Sequence, residues 1–239
     1  ELCPGYGGWV VCDSIADVTP PDYTICTLYE YLGNLSAQAV LDSIDAGYQF
    51  VHFAAHGNYD VISTGPDAIY SSDVDSLTNG DMLGIHAAIS CIVGRLDYED
   101  CIVEHFMNNP NGGTVAWMGN SRYGWGNPPQ MGSSERLDLE FFDLLFNSHL
   151  LQIADAHASA KDIYVPNAVG NEYWRYCIYE WNLFGDPELP VRTMQTVQLC
   201  DTVYDRHGGP LTAGVSYRVT CDVVVPSGQT LTIQPGVQI

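Results

Sequence analysis

The chain has 239 residues, 46% hydrophobic and 15% charged, enough for one substantial core and a smaller annex and too apolar for disorder. Asp and Glu total 29 against 8 Lys and Arg, a net charge of −21. There is thus no basic stripe to replace phosphate counterions, which excludes nucleic acid and anionic membrane surfaces as partners, and no apolar run approaches the ~20 residues of a membrane span.

The acidic surplus fits a secreted or cell-surface protein, and acidic clusters have the chemistry to hold a structural calcium ion. No other cofactor is expected. The chain starts at Glu1-Leu2-Cys3-Pro4 with no basic and apolar leader, so a leader, if there was one, is expected to be gone. The eight cysteines are Cys3, Cys12, Cys26, Cys91, Cys101, Cys177, Cys200 and Cys221, and none forms a CxxC pair. That argues for disulfides in an oxidising compartment rather than for zinc. If Cys91 is a free thiol, seven remain and one is unpaired. Cys200 and Cys221, both in the tail, are the first pair expected.

In chain order, the first thirty residues are turn-rich, with short strands expected at Gly8–Cys12 and Tyr23–Cys26. Asn34-Leu35-Ser36 is a glycosylation sequon, and Ser36 reads as a helix N-cap. Ala39, Val40, Ile44 and Ala46 follow at helical spacing, and Gly47 closes the helix as a C′ residue. The apolar run Tyr48–Ala55 is then a strand ending on His56-Gly57-Asn58. Helix followed directly by strand is the signature of a mostly parallel sheet. Tyr59–Asp81 reads as a long polar loop at the edge of the cleft, and loops of that length are usually functional. Gly84–Ser90 is a second strand, ending on Cys91. A helix is expected over Asp100–Met107, a buried strand over Thr114–Gly119, and an aromatic loop over Ser121–Trp125. Helices are expected over Ser134–Phe146 and Leu151–Ile163, a strand over Tyr176–Tyr179, and Leu183–Leu189 closes the domain. Beyond Thr193, Ser216–Thr220 and Thr230–Ile233 alternate with period two, like the opening coil of a parallel β-helix. The run Thr230–Ile239 has no later strand to cover it. Such an edge templates pairing with the core, with a lost module or with a second copy, which would make the chain a polymer-forming subunit.

His56 and Cys91 each end a strand. In an open α/β sheet ligands bind at the carboxyl ends of the strands, so the two are placed to act as thiol nucleophile and base. His52 and His86 lie inside their strands and read as packed histidines.

The order of these pieces resembles the gingipain-type cysteine peptidases over roughly Pro21–Val191. It rests on Phe53-Ala54-Ala55-His56-Gly57-Asn58, Asp73–Asn79, Ser90-Cys91-Ile92-Val93-Gly94, Gly112-Gly113-Thr114-Val115-Ala116 and Leu183-Phe184-Gly185-Asp186-Pro187. The resemblance implies a caspase-like α/β three-layer sandwich over residues 1–192, its N-terminal subdomain missing, with a β-rich tail over 193–239. It implies a secreted endopeptidase acting on a protein or peptide substrate through a thioester, with Cys91 as nucleophile and His56 as general base and acid. Backbone N–H groups of Gly57 and Cys91 would stabilise the oxyanion, and Tyr123 and Trp125 would wall the substrate pocket. The family's orienting acid upstream of the histidine has no match in Asp13, Asp17 or Glu30. A rival from another class is therefore a catalytically silent domain used as an assembly subunit, for which a Cys91–Cys101 disulfide would be the mark.

Overall fold

The computed structural model describes residues 6–98, 100–191, 196–207, 209–211, 216–234 and 237. By its internal contacts the chain falls into two units. One comprises the described residues to Thr19 together with Ile25–Leu189, and the other Pro20–Thr24 together with the described residues from Pro190 onward.

The larger unit is built on a four-stranded sheet. In chain order it contains α1 (Trp9–Val18), a 3-10 turn (Glu30–Leu32), α2 (Ala37–Asp45), β1 (Phe50–Phe53), β2 (Gly57–Asn58), β3 (Val61–Ser63), β4 (Ala68–Tyr70), α3 (Ser71–Val74), β5 (Gly84–Ala88), α4 (Ile102–Asn108), β6 (Thr114–Asn120), α5 (Ser133–Phe146), α6 (Ile153–Tyr164), α7 (Glu172–Glu180) and β7 (Trp181–Gly185). The strand order is β1-β5-β6-β7, with the first three parallel and β7 antiparallel to β6. Phe53 is opposite Ala88, so β1 and β5 run in step towards the same end.

Alternation along β1 divides the core. Phe53 joins Trp117 of β6, Phe106 of α4 and Val40 and Ile44 of α2 in one apolar cluster. Phe53 and Trp117 stack with centroids 5.6 Å apart. Phe50 and His52 point the other way, their rings against Phe142 of α5. Helices therefore cover both faces, the three layers that a mostly parallel sheet requires. The fold is the α/β sandwich with a mostly parallel sheet anticipated from sequence.

Local chemistry accounts for the boundaries. Ser36 Oγ accepts the Ala39 N–H at 3.1 Å, capping α2, and Gly47 ends that segment at φ 81°. Asn171 caps α7 by accepting from the Tyr173 and Trp174 N–H groups at 3.0 and 3.3 Å. Four expectations are corrected. Gly8–Cys12 belongs to α1, because Val11 and Ile15 bury one helical face. Tyr23–Cys26 forms no strand. Tyr59–Asp81 is not a loop but carries β3, β4 and α3, with β3 pairing antiparallel to both β4 and the preceding β2. Tyr176–Tyr179 is helical and the strand starts at Trp181, because the Asn171 cap sets the register.

The smaller unit has two parallel strands, β8 (Thr196–Thr202) and β9 (Ser216–Val224), with Leu199, Val203, Leu211 and Tyr217 buried between them and their flanks. Cys200 and Cys221 are disulfide-bonded, the pair expected from sequence. Thr230–Ile233 pairs within the tail: Ile233 bridges Leu211, the Asp205 N–H donates to Thr230 O at 2.9 Å and the Leu211 N–H to Thr232 O at 2.9 Å. The expected edge run beyond it, at 235, 236, 238 and 239, lies outside the described residues, as does Cys3.

Candidate active site

His56 and Cys91 line one cavity of about 220 Å³. They reach it from adjacent strands. Ile89 N–H bonds to Phe53 O at 3.0 Å, extending the β1–β5 pairing past the named strand ends. Cys91 opens a tight turn. Ile92 sits at φ 48°, a conformation that costs a β-branched residue roughly 1–3 kcal/mol. The turn is held from β6, by Ile92 N–H to Arg122 O at 2.8 Å and Gly94 N–H to Asn120 O at 3.0 Å.

Cys91 is a free, half-buried thiol, and Cys101 is also free, so the disulfide expected of the silent rival is absent. Burial pushes the Cys91 thiol above the ordinary cysteine range. The Gly124 N–H donates towards the sulfur and opposes that, and the charge of Glu180 adds to it. The resting thiol therefore stays protonated at neutral pH, and attack on a carbonyl requires a base at that moment. The imidazole of His56 lines the same cavity. Among the described residues no carboxylate hydrogen-bonds the His56 ring. Asp13, one of the upstream acids, instead accepts from Tyr29 OH at 2.8 Å.

Trp125 is in the cavity wall, its N–H bonded to Ser134 Oγ at 3.0 Å and its ring 4.8 Å from Tyr173. Tyr123 is not in that wall. It is 60% exposed, and its N–H meets Tyr176 OH at 3.4 Å. Gly57 is next to the wall, and a Cβ there would meet Ser90 Cβ and Val93 Cγ1 at 2.8 Å. Its lack of a side chain lets the β2 segment lie against the Cys91 turn. His86 is buried in an aromatic nest with Phe106 and Trp117. Asp186 accepts the Glu188 N–H at 2.9 Å and shapes a turn. Cys200, Asp201 and Cys221 lie close enough to suggest metal ligands, but their two sulfurs are spent on each other.

Sequence reasoning missed three contributors. Gly124 stands where a Cβ would meet Ile89 O at 3.0 Å, which lets its N–H reach the sulfur. Glu135, 2% exposed, puts a carboxylate in the wall. It bonds back to Gly132 N–H at the start of α5, and its Oε1 accepts from Tyr6 OH at 2.8 Å. Tyr6 also lines the cavity. The glycines of Tyr123-Gly124-Trp125-Gly126 and an acid three residues into α5 were the available signals. Nothing in the sequence tied them to Cys91.

Residues 11–192 match the model of peptidase family C25. No curated protein matches the chain. Among solved structures, the Arg-specific cysteine proteinase gingipain R (RgpB) superposes with a TM-score of 0.66 at 19% identity, over 83% of this chain and 47% of that one. The complex of Porphyromonas gingivalis RgpB pro- and mature domains gives a TM-score of 0.64 at 19% identity, over 83% and 48%. The chain spans about half the length of these structures, and at this identity the likeness is one of fold.

Proposed function

The chain belongs to peptidase family C25, a cysteine-peptidase family, and from that premise we propose that it is a secreted endopeptidase domain with Cys91 as nucleophile and His56 as general base and acid. The supporting observation is the convergence of a free thiol and an imidazole in one cavity at the ends of two parallel strands. The Cys200–Cys221 disulfide supports secretion.

In the proposed reaction His56 takes the Cys91 proton as the sulfur bonds to the scissile carbonyl carbon. The N–H groups of Cys91 and Gly57 receive the oxyanion. Collapse breaks the C–N bond, and His56 returns its proton to the departing amine. Water, deprotonated by His56, then opens the thioester and restores the thiol.

One structural neighbour is an Arg-specific proteinase, and the proposal carries that specificity to this chain. Glu135 is the carboxylate that the cavity wall offers among the described residues, so it is assigned to attract a basic residue before the scissile bond. Glu135→Gln keeps the bond to Gly132 and removes the charge. The chain should cleave extended arginyl peptides internally. The variant should lose about tenfold or more in kcat/KM on them and little on uncharged ones, since hydrogen bonds to charged groups contribute roughly 1.5–3 kcal/mol. Equal losses on both peptides would remove the specificity assignment, and no cleavage of either by the wild type would contradict the peptidase assignment.

Two observations favour a second reading, a silent domain with an assembly role through its β-rich tail. The Cys91 thiol is pushed up, and no described carboxylate orients His56. A chain that cleaves nothing and associates through the tail would fit that reading.

A further inference from the structure

Away from the Cys91 cavity a second thiol, imidazole and carboxylate stand in line. Cys12 comes from α1, His52 from β1 and Asp138 from α5. Cys12 Sγ is 3.4 Å from His52 Nδ1, and His52 Nε2 bonds to Asp138 Oδ2. Asp138 is fully buried, and its Oδ1 has no hydrogen-bond partner among the described residues. A buried carboxylate with an unused oxygen is costly unless its neighbour carries positive charge. The imidazole is the group within reach. Once both ring nitrogens hold protons, one is donated to Asp138 and the other to the sulfur. The sulfur then sits as the acceptor of a charged N–H, the arrangement that turns a thiol into a thiolate.

Burial alone would lower the His52 pKa, but the Asp138 and Cys12 charges and their hydrogen bonds overcome it and raise it to about 10. The other ionisable groups around Cys12 are Asp13, next to it in α1, and Tyr29, whose phenol donates to Asp13 and is pushed up by burial, by that bond and by the Cys12 charge. Cys12 is partly exposed, so a reagent reaches it. Cys101 and Cys177 make the contrast. Both are buried without an imidazole partner, and burial pushes each up to about 11.

We propose that Cys12 is a second nucleophilic thiol, held as a thiolate by His52 and Asp138, and that it is modified by low-molecular-weight disulfides. Its sulfur attacks one sulfur of RS–SR. The Cys12–SR bond forms, the RS–SR bond breaks, and the departing thiolate takes the His52 proton to leave as RSH. No other oxidant is required, and the step is independent of the peptidase assignment because Cys12 is outside the Cys91 cavity.

The test uses the intact native chain with glutathione disulfide at pH 6 and mass-spectrometric mapping of each cysteine peptide over time. Exposed Cys26 is the internal reference. A sulfur 3.4 Å from an imidazole that Asp138 holds predicts about tenfold faster mixed-disulfide formation at Cys12 than at Cys26. Asp138→Asn should remove that advantage, and His52→Gln should do the same. The wild-type comparison stands if either variant fails to fold. Cys12 reacting at pH 6 no faster than Cys26, or reacting only after denaturation, would overturn the proposal.

Discussion

Cys91→Ala should lower peptide hydrolysis by at least about a thousandfold while the protein stays folded, and His56→Ala should cost nearly as much. In the proposed reaction the sulfur is the atom that bonds to the carbonyl, and no other described thiol lines the cavity. Alanine fits the turn that Arg122 O and Asn120 O hold, because those bonds are made by the backbone of Ile92 and Gly94. His56 loses its proton-transfer role, and since the thiol is protonated at rest, the nucleophile is not generated without it. The double variant should be no worse than the worse single one, because the two residues act as a unit. Initial rates on one peptide, with thermal melts of each variant, make the check. Hydrolysis within tenfold of wild type in Cys91→Ala would move the chemistry elsewhere.

Stability should peak near pH 6 and fall on both sides. On the acid side, burial holds His86 and His157 down to about 3, with the nearby Lys161 charge adding to the effect at His157. The folded state thus binds fewer protons than the unfolded state between about pH 3 and the ordinary histidine value, and stability falls as pH drops through that window. On the alkaline side, burial pushes Glu180 up to about 8 against the Arg122 N–H and the Lys161 and Arg122 charges, and His52 rises to about 10. Both bind more protons folded than unfolded. The His52 contribution is fully present below the ordinary histidine value and is lost as pH rises through 10. The Glu180 contribution is lost as pH rises from the ordinary carboxyl value through 8. A tenfold difference in proton affinity between the folded and unfolded states corresponds to about 1.4 kcal/mol, so the groups together move stability by several kcal/mol. Melting temperatures across pH 4 to 10 test this. Glu180→Gln should flatten the alkaline limb, and His86→Phe, whose ring suits the Phe53, Phe106 and Trp117 nest, should flatten the acid limb. A flat profile in the wild type would contradict the protonation assignments.

The elements read correctly from sequence were those whose pattern and caps agreed. Ser36 before the period of Val40 and Ile44, and the apolar runs into His56 and Cys91, each carry their own signal. The misread elements carried a stronger competing one. Trp9-Val10-Val11 has high β-propensity, yet Val11 and Ile15 lie one helical turn apart and burial prevailed. Tyr176 and Tyr179 look like strand residues, but both are exposed on α7, where Asn171 sets the start. The site was half legible. His56 and Cys91 sit at strand ends, a local property. Gly124, Glu135 and Tyr6 arrive from three separate segments, and so do Cys12, His52 and Asp138. Their meeting depends on how the helices pack on the sheet, which no spacing in the chain records.

The most direct measurement is covalent capture with a peptidyl chloromethyl ketone, followed by peptide mapping of the intact protein. A thiol served by a base in a substrate cavity reacts faster with such a reagent when folded than when unfolded. The expected result is an adduct on Cys91 that forms faster in the native than in the denatured chain and is suppressed in His56→Ala, whatever adduct Cys12 takes up. Capture of Cys91 that is no faster in the native state, or that is undiminished in His56→Ala, would contradict the assignment of His56 and Cys91 as one catalytic pair.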